Sequence, residues 1–174
     1  MSSLRLINET EITSAINTLN IYDVFTDDFD IYLIQGKEIT ITSDNYLFGR
    51  VINSNNLEET SNYSYASKYI PSSSSVAEER LASRTEWESL SFIGSGTNDS
   101  GEIAMYVFNP TNAASYTFYI SQATSFRTAT PQLYHWKSIG SHESATSITG
   151  IQFSAQTANL DGGKFRIYGL RVDS

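Results

Sequence analysis

The residues able to do acid–base chemistry are few and poorly accompanied. Two histidines, His135 and His142, are the only side chains that titrate near neutrality in an ordinary environment. His135 lies in Leu133-Tyr134-His135-Trp136, which reads as strand, and His142 lies in a Ser-rich turn beside Glu143. A packed ring and an exposed ring account for the pair, and no supporting motif completes a His–carboxylate base. Neither a His-Glu-x-x-His motif nor a second close histidine ligand is present. Asp23, Asp27, Asp28 and Asp30 form the densest acidic cluster. Within it, Asp27, Asp28 and Asp30 are a candidate calcium site, because calcium takes clustered oxygen ligands. Their spacing lacks the Asp-x-Asp-x-Asp-Gly order and distal Glu of a dedicated loop, so the plainer reading is a solvated turn. No pair of acids is selected for glycoside hydrolysis. Gly94-Ser95-Gly96 leads into neither a dinucleotide motif nor Gly-Lys-Ser/Thr, and reads as a turn. No Gly-x-Ser-x-Gly elbow occurs. With no cysteine in the chain, thiolate nucleophiles, thiolate metal sites and disulfides are excluded. The sequence thus names no catalytic residue and calls for no cofactor.

Aromatic side chains are the remaining resource, at 13% of 174 residues. Tyr63, Tyr65, Tyr69, Trp87, Tyr134 and Trp136 gather near the middle and late segments. Most aromatics in a sandwich fill its core. Those left exposed suit a protein interface or a glycan-stacking platform, since Tyr and Trp give large contact area with a polar handle.

The elements that would position these residues are strands. Charged residues make up only 17% of the chain, and much of the rest is Ser, Thr and Asn. That mixture suits strands with polar outer faces joined by turns. Apolar residues recur at period two: Phe29, Ile31 and Leu33; Ile39 and Ile41; Ile103, Met105 and Val107; Tyr116, Phe118 and Ile120; Phe165 and Ile167, then Leu170 and Val172. Tyr46 to Ile52 is apolar on both faces and predicts an inner strand. Pro71 to Leu90 breaks the pattern. It reads as a long irregular loop (residues 71–90) with at most a turn or two of helix capped by Ser75, where Ser-x-x-Glu would satisfy free N–H groups. Asp161-Gly162-Gly163 predicts a tight hairpin between the last two strands. These signals predict about ten strands in one all-β domain, a two-sheet antiparallel sandwich of jelly-roll type.

Net charge is −8. Phosphate backbones and anionic lipid repel such a surface, so neither nucleic acid nor membrane is an expected partner. No apolar run approaches a membrane span or a secretory signal. Asn8, Asn62 and Asn98 head Asn-x-Ser/Thr triplets, which a Ser/Thr-rich chain produces by chance.

Finally, Ser147-Ile148-Thr149-Gly150-Ile151-Gln152-Phe153 and Asn159 to Val172, with Tyr168-Gly169-Leu170, resemble the ending of small β-sandwich virion proteins of tailed bacteriophages, marine phages above all. Leu4-x-Leu6-Ile7-Asn8, Phe108-Asn109-Pro110 and Tyr116-x-Phe118 are similar to that group too. The specific part covers about the last thirty residues and reports strand and turn geometry. The resemblance implies a capsid decoration or a head- or tail-associated fibre component. It would be made in the host cytoplasm, be located in the virion, contact major capsid or tail proteins, and form a homo-oligomer, by analogy a trimer. A lectin-like protein recognising host-surface glycan is the alternative.

Overall fold

The structure, a computed structural model, describes residues 4–54 and 56–170. Among these residues the chain is all-β, with thirteen strands and no helix. In chain order they are β1 (Leu4–Ile12), β2 (Thr18–Ile21), β3 (Ile31–Ile41), β4 (Asn45–Asn53), β5 (Asn56–Leu57), β6 (Tyr63–Pro71), β7 (Ala77–Arg84), β8 (Trp87–Ile93), β9 (Gly101–Phe108), β10 (Thr117–Arg127), β11 (Gln132–His142), β12 (Gly150–Ala155) and β13 (Leu160–Leu170). Eight form one sheet in the order β1-β13-β3-β9-β10-β11-β6-β7. The smaller sheet runs β2-β12-β4-β5, with β8 also paired to β4. Every pairing is antiparallel.

Period-two alternation builds the core. In β9, Ile103, Met105 and Val107 are buried while Glu102 and Ala104 are exposed. In β13, Phe165 and Ile167 point inward; opposite them Leu47 and Val51 of β4 and Ile151 and Phe153 of β12 close the sandwich. The stacked Phe153–Phe165 rings, 4.8 Å apart, join the two sheets directly. β4 is the inner strand that its two-sided apolarity predicts, flanked by β12 and by β8 with β5.

Three expectations need correction. The segment 71–90 is no long loop: Ser72–Val76 is a short connection, β7 follows, and β8 begins at Trp87. Ser75 therefore caps nothing. β7 escapes a period-two reading because it is an edge strand paired only to β6, exposed on both faces over most of its length. An edge of this kind carries charge, here Glu78, Glu79, Arg80 and Arg84, which blunts pairing with foreign strands. Asp161-Gly162-Gly163 is not a hairpin between the last two strands, because β12 and β13 lie in different sheets. The glycines instead form bulges within β13 opposite β3. Gly163 has φ +123°, and a Cβ there would meet the Ile39 backbone at 2.9 Å. Among the described residues the strands number thirteen rather than about ten, the excess being β5, β7 and β8, of which β7 and the first half of β8 fall in the segment read as loop. Val172 lies outside the described residues.

Candidate interaction surface

The outward face of the eight-stranded sheet carries two apolar rows where a solvated sheet face would be polar throughout. The pairing register sorts its side chains into rows that cross the strands. One row runs Leu4, Leu170, Ile31, Phe108, Phe118. The next runs Leu6, Tyr168, Leu33, Tyr106, Ile120, Ile139, Ala66. Several of these are freely exposed: Leu6 at 50%, Phe118 at 47%, Ile120 at 46% and Ile139 at 58%. The half-buried Ile31, Tyr106, Phe108, Tyr168 and Leu170 and the buried Leu33 link them across the middle strands, and so ordered a row is unlike the scattered exposed apolar residues of an ordinary surface.

A polar row borders the belt: Glu9, Arg166, Gln35, Ala104, Gln122, Lys137, Lys68, Glu78. Ion pairs fix its ends. Arg166 Nε donates to Glu9 Oε2 at 2.6 Å, which holds the Glu9 carboxyl below its usual range, and Lys164 lies 3.6 Å from Glu9 and 3.3 Å from Glu11. At the other end Glu78 meets Arg80 at 3.0 Å and Lys68 at 3.7 Å. Between β9 and β7 the face sinks into a groove of about 810 Å³. Ala66, Tyr106, Ile120 and Ile139 give it an apolar floor, and Lys68, Lys137, Glu78 and Arg80 a charged rim. A smaller polar hollow of about 380 Å³ beside it takes in Gln35, Lys37, Gln122, Thr124 and His135.

The residues proposed for stacking lie elsewhere. Tyr63, Tyr65, Trp87 and Trp136 are buried between the sheets and cannot form an exposed platform. Tyr69 stacks on Trp136 at 4.4 Å, and Tyr134 packs against Phe92 at 5.6 Å, so both are core margins rather than docking rings. Trp87 Nε1 donates to the Ser141 carbonyl at 2.9 Å, the satisfied polar handle of a core indole. Burial also pushes the Tyr63 and Tyr65 hydroxyls well above the usual phenol range.

The other candidates separate. His135 lies on the outer face between Thr124 and Ile70. His142 is fully buried, against the expectation of an exposed turn, with neither ring nitrogen hydrogen-bonded and Glu58 Oε2 at 4.0 Å. Burial lowers its pKa, opposed by the charges of Glu58 and Glu143. Asp27 and Asp28 are exposed, as is Asp30, whose carbonyl accepts the Asn109 N–H at 2.7 Å. Among the described residues no three acidic or histidine side chains converge as metal ligands.

One polar cluster escaped the sequence reading. Asp44 accepts from Ser95 N and Oγ, each at 2.8 Å, and from Arg127 Nε at 2.6 Å. Asp99, almost fully buried, accepts from Gly96 N at 2.8 Å, Thr128 N at 3.0 Å and the Thr128 hydroxyl. Burial would raise both carboxyls, but these donors outweigh it and hold them below the usual range. Gly94 is required here, since a Cβ would sit 2.3 Å from Asp99 Oδ2. Both oxygens of each carboxylate are engaged in stapling loops. The signal was present in Gly94-Ser95-Gly96 and Asn98-Asp99, but their partners lie far along the chain.

No family model matches this chain, and no curated protein does. Among solved structures a human SPRY domain aligns over 96% of this chain and 99% of its own, at 10% identity and a TM-score of 0.24. A score this low carries no argument about fold or function.

Proposed function

We propose that this chain is a non-enzymatic bacteriophage virion structural protein, a capsid decoration or head- or tail-associated fibre component that works through protein–protein contacts. The apolar belt on the eight-stranded sheet carries this reading. Interface cores are apolar and aromatic with polar rims, and the belt with its bordering ion pairs has that anatomy. The C-terminal segment's resemblance to phage virion proteins supplies the setting. Other virion proteins and further copies of the chain are the partners.

The alternative, a lectin-like protein for host-surface glycan, loses four of its six stacking candidates to the core and keeps only the groove with Tyr106 and its polar rim. A glycan array at millimolar sugar tests it, and binding abolished by Tyr106→Ala would favour it. For the leading reading, antibody labelling of purified particles should locate the protein on the virion, and Ile139→Asp should reduce its incorporation. Particles that lack the protein would refute the virion role.

A further inference from the structure

Resting on that reading, and going beyond it, we infer that the belt is covered by other copies of this chain. The β1–β13–β3 half of one copy seats Leu6 and Tyr168 in the groove between β9 and β7 of the next.

Three observations select this occupant. First, an apolar patch needs an apolar match. Eight of the twelve large exposed hydrophobics, among them Leu6, Phe118, Ile120 and Ile139, lie on this one sheet face; the others, Tyr22, Val76, Leu81 and Tyr116, are dispersed. Among the described residues the surface that matches the belt is the belt itself, and a patch that pairs with itself builds closed symmetric oligomers. Second, the two halves differ in relief and complement each other. The larger groove lies in the β9–β7 half, while the smaller polar hollow beside it reaches β3 and β13. Copies meeting with β1 of one over β6 of the other set Leu6 and Tyr168 over Ala66 and Ile139. In the bordering row the same placement sets Glu9 over Lys68 and Arg166 over Lys137, one attractive and one repulsive pair, so the apolar rows carry the contact. Third, the charge is compatible. The face carries six of the chain's eleven Lys and Arg but only four of its nineteen Asp and Glu. A chain of net −8 therefore turns its one slightly positive face inward and leaves its acidic surface outside. Strand spacing gives the belt and its polar border a projected area of roughly 600 Å², near the ~800 Å² each partner gives to a standard interface. A two-fold axis generates this seating, because β1 of one copy over β6 of the other also sets β6 of the first over β1 of the second.

The chain has no cysteine, so single introduced cysteines report without background. Sedimentation velocity of the purified protein at tens of micromolar should give twice the 19.4 kDa chain mass. Ile120→Lys should reduce it to monomer while leaving the circular dichroism and thermal midpoint of a folded chain. Leu6→Cys and Ala66→Cys proteins, mixed and treated with a short bis-maleimide, should cross-link as a mixed pair, and neither should do so alone. A monomeric wild type, an oligomer that survives Ile120→Lys, or Leu6→Cys cross-linking to itself would each overturn the inference. A monomeric wild type found on purified particles would remove the self-association and leave the virion role standing.

Discussion

At the scale of single residues, the informative ones are buried polar groups. His142 has its imidazole enclosed by Tyr63 and Thr117 on the neighbouring strands, with both nitrogens unpartnered and only Glu58 and Glu143 nearby. Its folded pKa is depressed, so the unfolded chain takes up the proton first. Stability is then complete above about pH 6.5 and falls as pH drops below that value, by at most ~1.4 kcal/mol per pH unit. Urea denaturation from pH 7.5 to 5 should show the decline, and His142→Phe should flatten it; an unchanged slope in the variant would place its origin elsewhere. Asp44 and Asp99 act in a separate window. Their folded pKa values are lowered, so their contribution holds above about pH 4 and fades as pH falls further. Asp99→Ala strips three hydrogen bonds from a buried loop junction and should cost about 2–4 kcal/mol by denaturation, whereas a surface acid such as Asp27 should cost under ~0.5 kcal/mol.

At the scale of elements, alternation was legible and sidedness was not. Phe118 and Ile120 alternate in β10 as the sequence reads, but nothing in the pattern assigned their side: they face outward while Thr117, Tyr119, Ser121 and Ala123 point inward. In β3 likewise, Tyr32 and Ile34 enter the core while Ile31 and Leu33 face outward. Alternation separates two sets without saying which is interior where both sets hold apolar residues. Four of the six stacking candidates fill the interior from β6, β8 and β11, and Tyr69 and Tyr134 pack at its margin, while the most exposed outer-face residues are aliphatics and phenylalanines. β7 was invisible because an edge strand needs no apolar side. The Gly162-Gly163 signal was sound as local chemistry, positive φ without a Cβ, but a bulge uses it as well as a turn does. The sidedness is testable in β10 itself. Tyr119→Ala should destabilise the fold by about 3–5 kcal/mol, whereas Phe118→Ser should change the stability of the isolated chain by no more than ~0.5 kcal/mol and act on association instead.

For the whole molecule, composition and alternation carried the all-β class, but the apolar outer belt appeared only with the strand order. Leu6, Leu33, Ile120 and Ile139 are spread over more than a hundred residues of sequence, and the pairing of β1, β13, β3, β9, β10 and β11 brings them into one row. Because that row is apolar and its bordering ion pairs are exposed, association should withstand salt. Raising sodium chloride from 0.1 to 1 M screens the border and should leave the oligomer mass unchanged; dissociation would mean that the charges hold the contact. Hydroxyl-radical footprinting reads the central claim most directly, since it measures the exposure of individual aromatic rings. Wild-type protein should protect Phe108, Phe118 and Tyr168 relative to the Ile120→Lys variant, while Tyr22, off this face, reacts equally in both. Equal labelling of all four rings in the two proteins would mean that the outer face meets water, and the account would be wrong.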